Sequence, residues 1–208
     1  KKIRFPFPRI PYKQAIEKYG TDKPDLRFGI EMSTVVKWAD KTDINILKTI
    51  ISNNGTVKSL SAPGCGNYTR GQISELEELV KNCGGKGLMW IAISDQAHSI
   101  EKLTIEDIKS PVSKVLKLHE IQEIASILSS KPGDLILIVA GQEKIVNQSL
   151  SLIRDRLGTI LGLKDPNSFE FAFIIDFPLF EWKEEEKRWD AAHHPFTMPI
   201  KEHLDIIS

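Results

Sequence analysis

Cysteine is scarce in this sequence: Cys65 and Cys83 are the only two in 208 residues, too few for a disulfide framework. They read as plain thiols of a reducing compartment, and no metal role is expected for them. Charge of one sign is also lacking, because 28 basic and 28 acidic residues cancel to a formal net of zero. That removes any global electrostatic reason for strong nonspecific nucleic-acid binding and leaves only a local basic patch to touch phosphate. No apolar run approaches the roughly 20 residues that cross a bilayer. The opening Lys-Lys-Ile-Arg-Phe-Pro lacks the apolar segment of a secretory signal, so no membrane association and a cytoplasmic location are expected.

Chemical signatures are equally sparse. No internal repeat, low-complexity tract or Ser-His-Asp constellation stands out. The loop Pro63-Gly64-Cys65-Gly66-Asn67 precedes a helix whose N-terminus could in principle hold phosphate, but it lacks the lysine and serine of a P-loop and is read as a structural turn. His98, His119 and His203 stand alone, without Glu, Asp or Cys at ligand spacing, and are expected on the surface. The first residue is not Met, and Lys201 to Ser208 stops without a helix-end signal, so an internal piece of a longer protein is expected.

What is present is an ordinary globular composition, 41% hydrophobic and 27% charged, in a chain long enough to bury a core. Three prolines in Phe5 to Pro11 hold the start extended. Tyr12, Ala15, Ile16 and Tyr19 share one helical face before the stop at Gly20. Alternation of Phe28, Ile30 and Met32 predicts a strand over Leu26 to Val36. Apolar spacing predicts helices over Ile44 to Ile51, from the N-cap Thr69 to Asn82, from Pro111 to Leu128, and over Lys144 to Leu161. Thr56 to Leu60, Leu88 to Ile93, Leu135 to Val139 and Phe169 to Ile175 read as strands, the last three buried. Trp182 and Trp189 flank a charge run that looks like a hairpin tip.

One-faced helices between short strands are satisfied by an α+β sandwich, one layer of helices on one sheet. A doubly wound parallel fold is the alternative, but no Gly-rich loop follows a strand as its phosphate cradle would. The strongest functional candidates are His193 and His194, in Ala191-Ala192-His193-His194-Pro195-Phe196-Thr197. Histidine can donate, accept or carry charge near neutral pH, which suits a carboxylate ligand. Pro195 disfavours helix at His194, and in extended chain the two rings point to opposite faces, so one of the pair enters any given pocket. Asp22, Lys23, Asp25 and Arg27 could bind a ligand, but local ion pairs are favoured.

Several segments together resemble bacterial-type aspartyl-tRNA synthetases, class II enzymes. Phe7-Pro8-Arg9, then Tyr19-Gly20-Thr21-Asp22-Lys23-Pro24-Asp25-Leu26-Arg27-Phe28-Gly29, is similar to the stretch before that family's insertion. Val57-Lys58-Ser59-Leu60 with Ala62-Pro63-Gly64, Gly85-Lys86-Gly87-Leu88 and Pro132-Gly133-Asp134-Leu135 resemble the insertion, the GAD domain, which is shared with an amidotransferase subunit. Asp176 to Trp182 and His193 to Thr197 resemble the return into the catalytic domain.

The resemblance implies a GAD insertion over residues 30–168, an α+β two-layer sandwich with a mainly antiparallel sheet, flanked by strips 1–29 and 169–208 of a class II antiparallel catalytic sheet that should pair or pack together. It implies a parent that activates aspartate with ATP and magnesium, transfers it to tRNA, and forms a homodimer. His193 matches the family position that contacts aspartate, with His194 beside it, and the arginines of the second and third class II motifs lie outside the chain. No catalytic residue and no metal ligand are therefore expected here, and the chain alone is expected to be inactive. The alternative is a tRNA-contacting GAD module of an amidotransferase subunit, without catalysis. One departure is Cys65-Gly66-Asn67, where relatives carry a Gly-Ala type turn.

Overall fold

A computed structural model describes residues 5–183, 186–192 and 202 of the chain. The elements run β1 (Arg9–Pro11), α1 (Tyr12–Tyr19), β2 (Met32–Thr34), α2 (Val36–Lys41), α3 (Asn45–Ser52), β3 (Thr56–Ala62), α4 (Arg70–Asn82), β4 (Met89–Ile93), β5 (Ile108–Lys109), α5 (Leu118–Ile127), β6 (Leu135–Gly141), α6 (Glu143–Ile160), β7 (Phe173–Ile175), β8 (Phe180–Lys183) and β9 (Arg188–Ala191). Strands β2, β3, β6, β4 and β5 form one sheet in that order, and every pairing in it is antiparallel. The α+β architecture on an antiparallel sheet is present, and the doubly wound parallel alternative is not.

The sheet is held by its central strand. In β6 successive side chains alternate: Leu135, Leu137 and Val139 enter one core and Ile136 and Ile138 the other. All five are at most 1% exposed, and each such burial stabilises the fold by roughly 1.5–3 kcal/mol. Helices α4 and α6 cover the first face with Leu76, Val80, Val146, Leu150, Ile153 and Leu157, at the helical spacing the sequence predicts. The second face carries α3 and α5, both predicted as helices, and α2, which the sequence reading does not include; they contribute Leu47, Ile121, Ile124 and Trp38.

Helix α4 begins as predicted, with Thr69 accepting the Gln72 N–H and Gln72 accepting the Thr69 N–H in a capping box. Elsewhere the predicted boundaries shift for identifiable reasons. Phe28, Ile30 and Met32 are buried on one side as their alternation requires, yet only Met32–Thr34 is strand. The Asp25, Phe28 and Ile30 carbonyls are occupied by Arg154 and do not enter the ladder.

The helix predicted from Pro111 starts instead at Leu118. Lys117 is extended (φ −78°, ψ 151°) and its N–H is taken by the Glu120 carboxylate at 2.7 Å. The predicted strand Phe169 to Ile175 shrinks to Phe173–Ile175 and is not buried: Phe169, Phe171 and Phe173 are 51, 46 and 53% exposed. The hairpin is found, with Trp182 opposite Trp189 and their rings edge-on at 5.6 Å.

Candidate functional site

Two strips remote in sequence meet beside the sandwich. Pro8 and Pro11 keep the first strip extended, and Arg9, Ile10 and Pro11 pair in parallel with Phe173, Ile174 and Ile175. The Phe173 N–H donates to the Pro8 carbonyl at 2.9 Å. Phe7 packs against Phe171 and Phe173 with ring centroids 5.3 and 6.0 Å apart, and Tyr12 against Phe177 at 5.1 Å. The same strips concentrate exposed aromatics, with Phe5, Phe180 and Trp189 all more than half exposed. Lys183 pairs with Glu181 and Arg188 with Glu186 on the hairpin.

Helix α1 follows β1 without a linker and ends at Gly20, whose N–H donates to the Ile16 carbonyl from a left-handed conformation (φ +69°). Gly20 sits directly on α6, where a Cβ would stand 2.3 Å from the Asn147 carbonyl oxygen. Gly20→Ala therefore combines an unfavourable φ with a backbone clash, and is expected to destabilise by about 2–4 kcal/mol in urea unfolding. A loss below 1 kcal/mol would show that α1 is free to lift from α6.

Two buried cations fasten this junction. Lys58, 3% exposed on β3, donates to Asn147 Oδ1 at 2.7 Å and lies 3.5 Å from the Glu17 carbonyl, one of the orphan acceptors at the end of α1. Burial holds its pKa below the usual lysine value, and the nearby Glu143 and Glu17 carboxylates offset this only in part.

Arg154, also 3% exposed, donates from Nε to the Ile30 carbonyl at 2.5 Å and from one terminal nitrogen to the Asp25 and Phe28 carbonyls at 2.7 and 3.0 Å. Its guanidinium lies over the Phe28 and Tyr19 rings, 4.2 and 4.9 Å from their centroids. A cleft of about 470 Å³ opens beside Lys58, walled by Tyr12, Glu17, Thr34, Glu143 and Asp176. Burial, then Asp22 and Glu181, raise the Tyr12 pKa, so the phenol is neutral at physiological pH.

Of the acidic and basic residues of the predicted turn, Asp25 and Arg27 pair locally. Arg27 grips the Asp25 carboxylate through Nε at 2.9 Å and a terminal nitrogen at 2.7 Å, and donates to the Asp165 carbonyl at 3.0 Å. That grip holds the Asp25 carboxyl below the usual carboxylate range. His98 and His119 are exposed, as expected, whereas His203 lies outside the described residues. So do His193 and His194, the candidate ligand residues, which follow β9 in the chain.

The Gly64 to Asn67 loop does not offer a phosphate cradle. There the Gly64 N–H is taken by Asp134 Oδ1 and the Gly66 N–H by the Gly133 carbonyl, which leaves those amides no phosphate to hold. Among the described residues no group of three His, Cys, Asp or Glu could hold a metal ion, and no helix is long and apolar enough to cross a membrane. Lys58 and Arg154 went unnoticed as site residues. Lys58 does interrupt Val57-Lys58-Ser59-Leu60, but Arg154 looks like any charge on a helix.

The class defined by these observations is an α+β domain on an antiparallel sheet, with two distant strips of chain joined beside it as a small parallel pair. A family model described as GAD domain matches residues 47–150, half of the chain, and the chain belongs to the GAD domain family. It is similar to the aspartate–tRNA(Asp/Asn) ligase of Dehalococcoides mccartyi strain CBDB1, 45% identical over 201 residues, which are 97% of this chain and 34% of that protein. The aspartate–tRNA(Asp/Asn) ligase of Geotalea uraniireducens strain Rf4 is 40% identical over 205 residues, 99% of this chain and 33% of the relative. The aspartate–tRNA ligase of Clostridium novyi strain NT is 41% identical over 206 residues, again 99% and 33%. The chain thus spans about a third of the length of the curated relatives it matches.

Proposed function

We propose that this chain is the GAD insertion of an aspartate–tRNA ligase together with the two catalytic-domain strips that flank it, divided at residues 1–29, 30–168 and 169–208. The observation that carries the reading is the extent of the likeness: 97–99% of the chain aligns with such ligases at 40–45% identity, strips included. The parallel pairing of β1 with β7 supports it, because an inserted domain must leave and re-enter its host at neighbouring points. The exposed phenylalanines of the strips support it too, since a catalytic sheet continued by further chain would cover them.

In this reading the parent joins aspartate to ATP with magnesium, releases pyrophosphate and passes the aspartyl group to the 3′ end of tRNA, as a cytoplasmic homodimer. The groups that stabilise charge at the transferring phosphorus lie outside this chain. Its contribution to the substrate is His193, placed against the aspartate, with His194 beside it; this rests on the motif resemblance.

The test is aspartate-dependent exchange of pyrophosphate into ATP. The 208-residue chain alone is expected to stay at the level of a no-protein blank. The protein encoded by the complete gene is expected to exchange, and His193→Ala in it to lower kcat/KM for aspartate by about 10–100-fold, the worth of one charge-assisted hydrogen bond. Exchange by the chain alone would overturn the division. Unchanged aspartate kinetics in both His193→Ala and His194→Ala would remove the pair from the site.

A further inference from the structure

The sandwich grips the segment that leads into it mainly by that segment's backbone carbonyls. Lys58 on β3 and Arg154 on α6 reach the backbone carbonyls of Glu17, Asp25, Phe28 and Ile30. The gripped segment is connected to the strips by a short rigid path. Helix α1 starts at Tyr12, the residue after β1 ends, and its eight residues span about 12 Å with no intervening loop. Its C-terminal Gly20 is pressed against the Asn147 carbonyl, and Ala15 and Tyr19 are buried. At its other end Tyr12 packs on Phe177, two residues beyond β7.

We propose that the sandwich is a brace for the β1–β7 pair: Lys58 and Arg154 clamp the backbone of the leading segment, and α1 acts as a strut that transmits the clamp to the register of the two strands. The clamp is needed because the strands hold each other weakly. Their ladder covers three residue pairs, Pro11 within it has no N–H to donate, and Phe173 is half exposed. The sandwich, by contrast, has two cores and a seven-residue central pairing of β3 with β6. Lys58 and Arg154 are thus positioning residues: they touch neither strand and act on them through α1. The device is independent of the reaction proposed above and stands or falls without it.

Hydrogen exchange read by mass spectrometry on the 208-residue protein tests this. In Arg154→Met, peptides covering residues 5–11 and 169–175, including the Phe173 amide, are expected to exchange about tenfold faster or more, while peptides of β3 and β6, which exchange only through global unfolding, stay protected over the same labelling time. Arg154→Lys, which keeps the charge but reaches fewer carbonyls, is expected to fall between. Equal acceleration in both regions would reduce Arg154 to a general stability residue and overturn the proposal, as would no change at the strips. Should Arg154→Met fail to fold, Lys58→Met decides by the same comparison: faster exchange confined to α1 and the strips supports the brace, and unchanged strips overturn it.

Discussion

Arg154→Ala is expected to cost about 3–5 kcal/mol of folding stability, measured by urea unfolding followed through tryptophan fluorescence. The substitution leaves the Asp25, Phe28 and Ile30 carbonyls without their donor, and each buried acceptor left unmatched costs about 1–3 kcal/mol. It also removes the cation that lies over the Tyr19 and Phe28 rings. The full sum is not reached, because water enters the vacated space and rehydrates part of the segment, whose Asp25 end is only partly buried. Lysine at this position has one compact donor head where the guanidinium spans three acceptors, so Arg154→Lys is expected to recover less than half of the loss. A loss below about 1 kcal/mol for the alanine variant would mean that these carbonyls are already served by solvent.

Trp38→Ala should match it in size, at about 3–5 kcal/mol, for a different reason. Trp38 is 1% exposed and fills the second core beneath α2 and α5, where its indole N–H donates to the Glu120 carbonyl at 2.7 Å. Alanine leaves a cavity among rigid neighbours, Leu47, Ile121 and Ile124, that are themselves buried and closely packed. Trp38→Phe keeps most of the apolar volume and loses the hydrogen bond, so it is expected to cost less than alanine. Equal losses for the two variants would place the whole effect in the Glu120 contact.

Trp38 also marks a limit of the sequence. Helix α2 is six residues long, too short for a helical period to rise above chance, and Val35 and Val36 at its start favour extended chain. It forms because Trp38 and Ala39 have a core to enter, which is a tertiary cause. The long helices are the opposite case: α4 and α6 each present three or more turns of one apolar stripe, and α4 carries its own cap. Those were legible, as were the central strands, the hairpin and the local pairing of Asp25 with Arg27. The phenylalanine-rich stretch before Asp176 misled, because apolar side chains announce a face that wants cover without saying what covers it. His193 and His194 stood out by motif and lie outside the described residues, whereas Lys58 and Arg154 were placed by the fold alone.

By itself the sequence determined what is local and periodic: which residues of each long helix and central strand turn inward, and which family's motifs stand in which order. Tertiary structure alone decided that the sheet is covered on both sides, that Phe28 and Ile30 give their carbonyls to an arginine more than a hundred residues away, and that Arg9 to Pro11 lies along Phe173 to Ile175. The reason is that a side chain's spacing records its direction relative to its neighbours, whereas the partner of a backbone carbonyl is settled only when distant segments are packed against each other.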